Sequence, residues 1–262
     1  MSTETIQAGG ITLKYFRFGA DTGQPFVIIP GIALKSVMES EEAIKVQYKR
    51  LAQKFCVYVL DRRENIPDSY SIYDMADDTA AALDALGIKG AVLYGVSQGG
   101  MIAQAIAAKR PDLAGRLIVC STAPYIPENA GKVFDSWAAL AQSRRRDELI
   151  MSFGENVYTQ GYFEKYRDAF ISFADSVTDD ELTRFVTMCG GFKGFDVRPE
   201  LSRIAVPVLA IGAENDKLFG SEGAELIAKL TGGSLKLYSG QAHGVYDENE
   251  DVLWQIEEFL AK

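Results

Sequence analysis

Histidine is almost missing from this chain: its 262 residues include one, His243. Cysteine is scarce as well, with Cys56, Cys120 and Cys189 far apart. One histidine excludes a His-rich zinc site, no metal-ligand spacing is present, and three scattered cysteines build no disulfide framework. Cys56 and Cys120 lie in apolar runs, Phe-Cys-Val-Tyr-Val and Leu-Ile-Val-Cys, and read as small buried hydrophobes. Positive charge is in deficit: 27 Lys and Arg against 36 Asp and Glu leave a net charge of -9. That balance argues against nucleic acid, whose phosphates need a basic face, and against adhesion to anionic membrane surfaces. No apolar run approaches the ~18 residues of a membrane span. The opening Met-Ser-Thr-Glu-Thr-Ile is polar and acidic, unlike a secretory signal, so a cytoplasmic location is expected. What remains is ordinary for a globular protein, 47% hydrophobic and 24% charged. The length suits one large α/β domain.

Short apolar runs alternate with helical patterns. Ile11–Phe18, Phe26–Ile29, Val57–Leu60, Ala91–Tyr94, Leu117–Cys120, Val206–Ile211 and Leu235–Tyr238 read as strands. Several are apolar without alternation, as strands buried on both faces are. Between them, Tyr73–Leu86, Gln98–Lys109 and Val252–Leu260 have helical spacing, the first ending at Gly87. Such alternation predicts a mostly parallel central sheet flanked by helices. It breaks between about Pro124 and Leu201, a strand-free and strongly aromatic stretch. There Phe163, Tyr166, Phe170 and Phe173 recur at helical spacing. They pack a helical layer, face a substrate as part of a lid, or do both. Arg144-Arg145-Arg146, followed by Asp147 and Glu148, reads as a solvated helix face.

Three places carry chemistry. Ala91–Tyr94 runs into Gly95-Val96-Ser97-Gln98-Gly99 and then a helix, so Ser97 sits on a sharp strand-to-helix turn with glycines easing the close approach. The helix starting there aims its free N–H groups and positive dipole end at the same point. Asp216 follows the Val206–Ile211 strand, with Glu214 as a rival in the same loop and Asp247 as a second rival further on. His243 follows the Leu235–Tyr238 strand. A serine hydroxyl is a weak nucleophile until a base takes its proton, and the base needs a partner that orients it. Asp61, at the end of its strand, reads as a loop organiser.

In these features the chain resembles the α/β-hydrolase fold superfamily, particularly its small single-chain serine hydrolases with a helical cap. The likeness implies a core of residues 1–123 and 202–262 and a cap of 124–201. It implies Ser97 as nucleophile, His243 as base and Asp216 as the orienting acid. The oxyanion would be held by the backbone N–H groups of Gln98 and Ile32. Ile32 takes its role from matching position, and Pro30-Gly31 stands where the family usually has His-Gly. The expected activity is hydrolysis of a small ester, thioester or lactone through an acyl-enzyme, carboxylesterase-like, with no cofactor and no metal. The expected partner is a small-molecule substrate with an apolar portion. C–C bond hydrolases, cofactor-free perhydrolases and hydroxynitrile lyases share the same residues. A ligand-binding protein without turnover is a third possibility. Haloalkane dehalogenation and epoxide hydrolysis are disfavoured, because those enzymes carry Asp at the Ser97 position.

Overall fold

A computed structural model describes residues 3–262. Eight strands form one sheet: β1 (Glu4–Ala8), β2 (Ile11–Gly19), β3 (Gln24–Ile29), β4 (Phe55–Arg63), β5 (Ala91–Val96), β6 (Ala114–Cys120), β7 (Val208–Ala213) and β8 (Ser234–Tyr238). Their spatial order is β1-β2-β4-β3-β5-β6-β7-β8. The β1–β2 and β2–β4 pairs are antiparallel, and every other pair is parallel. The apolar runs lie at the centre because nothing there faces water: all six residues of β5 and all six of β7 are buried.

Helices cover both faces. α1 (Glu41–Gln47) precedes β4, α2 (Ile72–Ala85) precedes β5, and α3 (Gln98–Lys109) follows it. A capping box between Ser71 and Asp74 starts α2, and Gly87 in a left-handed conformation (φ 68°) ends it. One large apolar cluster contains Leu83, Leu93, Met101 and Ile106; a second, on the opposite face, contains Phe16, Phe26, Val57 and Tyr94. Full burial of each such side chain contributes roughly 1.5–3 kcal/mol.

Residues 124–201 contain no strand, as their pattern predicts. They fold into α4 (Glu128–Gln142), α5 (Arg146–Val157), α6 (Gln160–Lys165), α7 (Arg167–Ser176) and α8 (Asp179–Gly190). Thr159 caps α6, and a Thr178–Glu181 capping box opens α8. Trp137 is fully buried here, and its indole N–H donates to Ser152 Oγ at 3.1 Å. Phe134 stacks on Phe192 with ring centroids 3.9 Å apart. The aromatic stripe of 163–173 is interrupted, because the chain turns at Tyr166 between α6 and α7. Phe163 packs inward, whereas Phe170 and Phe173 reach the cavity described below. The arginine run is solvated and paired, Arg145 with Glu148 and Arg146 with Asp179. The chain closes with α9 (Gly220–Thr231), α10 (Val245–Glu248) and α11 (Asp251–Leu260). Among the described residues no helix is long and apolar enough to cross a membrane.

Candidate active site

Strand β5 delivers Ser97 into a turn with φ 51° and ψ −119°, a backbone conformation that side chains rarely adopt. The close packing behind it explains the glycines. A Cβ on Gly95 would lie 2.3 Å from the Gly99 carbonyl oxygen, and one on Gly99 would lie 1.9 Å from that of Ile29. The Ser97 backbone is held on both sides, its N–H by the Cys120 carbonyl at 2.9 Å and its own carbonyl by the Thr122 hydroxyl at 2.8 Å. Its side chain does not cap α3 and so is left for other use.

Strands β5 to β8 are parallel neighbours, so the segments after β5, β7 and β8 all emerge at one edge of the sheet. That edge carries Ser97, Asp216 and His243. His243 Nδ1 lies 2.9 Å from Asp216 Oδ2, and both residues are buried. The other carboxylate oxygen of Asp216 accepts from the Leu218 and Phe219 N–H groups at 2.8 and 3.1 Å, which fixes its orientation. An accepting carboxylate puts the imidazole proton on Nδ1 and leaves Nε2 free to accept one. No hydrogen bond joins Ser97 Oγ to His243 in this geometry. Such contacts often tighten only once substrate is bound. The two rival acids lie elsewhere: Glu214 is exposed, and Asp247 accepts a hydrogen bond from the Tyr158 hydroxyl at 3.1 Å.

The loop after β3 comes up against the serine. A Cβ on Gly31 would meet Ser97 Cβ at 3.3 Å, so any larger residue there would press on the hydroxyl. Among the described residues, neither the Ile32 nor the Gln98 amide donates a hydrogen bond within the protein.

One participant escaped the sequence reading. Arg62, at the end of β4 and 5% exposed, donates from Nη2 to the Pro30 carbonyl at 2.7 Å and to Gln98 Oε1 at 3.3 Å. A single buried guanidinium thus ties the loop after β3 to the first residue of α3. The Gln98 side chain in turn donates from Nε2 to the Met188 carbonyl of α8 at 3.3 Å. Burial lowers the Arg62 pKa from its ordinary value, and its Nε has no partner. The available signal was an arginine two residues past an apolar run. Asp61 beside it accepts from the Ser36 hydroxyl and from the Arg62 N–H and pairs with Arg184 at 3.4 Å, tying loops together as expected.

A cavity of about 740 Å³ opens beside these groups. Gly31, Ile32 and Val96 form its inner wall next to Ser97, and Phe153, Tyr158 and Phe170 line it from the helical segment. The histidine loop is stitched to that segment: the Gly244 N–H donates to the Val157 carbonyl at 2.6 Å, and a Cβ on Gly244 would strike the Tyr158 ring at 2.6 Å. All three cysteines are buried and free, and burial pushes the Cys120 thiol up to about 12. None of them lines the cavity.

A strand-turn-helix serine, a carboxylate-bound histidine and an eight-stranded, mostly parallel sheet define an α/β-hydrolase architecture. A family model for the alpha/beta hydrolase fold matches residues 24–250, and the chain belongs to that family. The chain is 26% identical over 221 residues to 3-oxoadipate enol-lactonase 2 of Acinetobacter baylyi, covering 81% of this chain and 79% of the relative. It is also 26% identical over 221 residues to RutD of Serratia proteamaculans, named as a proposed carbamate hydrolase, covering 77% and 79%. Among solved structures, the enol-lactonase from Burkholderia xenovorans LB400 superposes with a TM-score of 0.86 at 22% identity, covering 99% and 100% of the two chains.

Proposed function

We propose that the protein is a serine hydrolase that opens a small ester, thioester or lactone through an acyl-enzyme on Ser97. The observation that carries this reading is the buried 2.9 Å His243–Asp216 contact, at the sheet edge where the strained Ser97 turn also emerges. In this scheme His243 Nε2 takes the Ser97 proton as Oγ attacks the carbonyl. Asp216 keeps the proton on Nδ1 and stabilises the imidazolium. The Gln98 and Ile32 amides hold the oxyanion, each donor being worth about 3 kcal/mol of barrier. The imidazolium returns its proton to the departing oxygen or sulfur, which in a lactone stays attached as the open chain. Water, deprotonated by the same imidazole, then releases the acid and frees Ser97.

The enol-lactonase relative supports a cyclic ester among the substrates, and the RutD relative supports extending the search to carbamates. In the same reading residues 124–201 are a cap over a core of 1–123 and 202–262. Its aromatic side chains give the cavity a mainly apolar lining suited to an apolar portion of the substrate.

The test is labelling with a fluorophosphonate, read by intact mass and peptide mapping. The expected result is one adduct, on Ser97, lost in Ser97→Ala and in His243→Ala, with hydrolysis of p-nitrophenyl butyrate lost in parallel. A folded wild-type protein that takes no label and turns over no ester would point instead to a ligand-binding protein.

A further inference from the structure

The cavity has one carboxylate without an ion-pair partner that the hydrolytic scheme leaves unused. Asp247, on α10, faces both the large cavity and a smaller one of about 290 Å³ beside it. Its side chain is exposed where the two cavities open, among surrounding atoms dense enough that burial raises its pKa. Its partners are neutral: Tyr158 donates to it at 3.1 Å, and Gln47 stands beside it. Among the described residues no Lys, Arg or histidine nitrogen lies within 4.0 Å of its carboxylate. The single cation lining the large cavity, Lys35, is already engaged by Glu39 at 3.4 Å and Glu181 at 3.9 Å. A carboxylate that lines a cavity without a counter-charge attracts a cationic ligand into it.

The surroundings favour a cation further. Tyr158 and Tyr162 stack at 4.9 Å beside Asp247, and Tyr246 borders both cavities. Their ring faces carry the negative side of the aromatic quadrupole. Glu250 lines the smaller cavity, and Glu248 acts on Asp247 with the same sign. The one basic group that acts on it is His243, four residues back, whose Nδ1 is engaged by Asp216. An anionic substrate group would meet repulsion here.

Resting on the hydrolase reading, we propose that Tyr158, Tyr162, Tyr246 and Asp247 form a subsite for a compact organic cation, an alkylammonium group carried by the substrate. The cleaved substrate is then an ester, thioester or lactone with a positively charged portion set away from its carbonyl.

The experiment compares butyrylthiocholine with its neutral isostere S-(3,3-dimethylbutyl) thiobutyrate, which replaces quaternary nitrogen by carbon. At pH 8 the cationic ester should show a kcat/KM about tenfold or more above the neutral one. Asp247→Asn and Tyr162→Leu should bring that ratio towards one, whereas Tyr162→Phe should keep it. Turnover of both thioesters without preference for the cation would overturn the subsite and leave the hydrolase reading standing. If neither ester is turned over and no fluorophosphonate adduct forms, the hydrolase reading fails, and tetramethylammonium binding by saturation-transfer NMR decides separately. A methyl signal that Asp247→Asn abolishes supports the subsite; no signal with the wild-type protein overturns it.

Discussion

Arg62 makes two hydrogen bonds from one buried guanidinium nitrogen. One ends on the carbonyl of Pro30 and the other on the side chain of Gln98, so both backbone segments proposed to hold the oxyanion hang on one guanidinium. Pro30 has no N–H of its own, and its carbonyl is the one handle by which that peptide can be oriented. Replacing Arg62 with Met keeps an unbranched buried chain but frees both segments. The expected outcome is a kcat about ten- to a hundredfold lower with little change in KM, since an oxyanion donor acts in the transition state. Steady-state kinetics on p-nitrophenyl butyrate check this. A KM effect alone would place Arg62 in substrate binding instead. That Ser97, Asp216 and His243 meet at one edge of the sheet was legible from sequence, because each follows a recognisable strand. Arg62 was not, because its partners are a carbonyl oxygen and a side chain brought near only by the parallel pairing of β3 with β4 and β5.

At the scale of elements, what could be read depended on burial. Strands β3, β5, β6 and β7 have apolar runs because both their faces are covered, and their positions follow from the sequence within three residues. Strand β1 did not announce itself: it is a five-residue edge strand, mostly exposed, with the sequence Glu-Thr-Ile-Gln-Ala. Strand β4 runs three residues beyond its apolar run, carrying Asp61 and Arg62 into the site as part of a strand. The break at Tyr166 was hidden because the aromatic spacing continues across it. The close approach of α3 to β3 is a demand on one residue type at one position. Gly99→Ala would set a Cβ 1.9 Å from a backbone oxygen that cannot move without breaking the sheet, at a cost of about 3 kcal/mol or more. Gly131, inside α4, is the contrasting case, with its nearest neighbour an Ile126 methyl at 3.8 Å. Gly131→Ala should stabilise the protein by about 0.5–1 kcal/mol by narrowing the unfolded ensemble. Urea unfolding of the two variants beside wild type separates the effects.

For the whole molecule, the unpaired carboxyl of Asp247 ties stability to pH. Burial raises its pKa from 3.8 to about 6, with the Tyr158 hydrogen bond opposing the shift. Between those values the folded protein holds the proton more tightly than the unfolded chain does. Raising the pH through this window therefore removes stability, and below it the group contributes no difference. The melting temperature of Asp247→Asn, relative to wild type, should accordingly climb between about pH 4 and 6 and level off above 7. A flat difference across that range would show that Asp247 ionises freely in the fold. The chain's single imidazole has a consequence of another kind. Because His243 is the one histidine and sits against Asp216, a protein labelled with nitrogen-15 in histidine alone gives one pair of ring signals. Those two resonances need no residue assignment, and their couplings to the ring carbon-bound protons tell Nδ1 from Nε2. They report directly which nitrogen holds the proton, at what pH the second proton arrives, and how both change when a ligand fills the cavity. The proposed base can thus be watched through a titration in the intact, unmutated molecule.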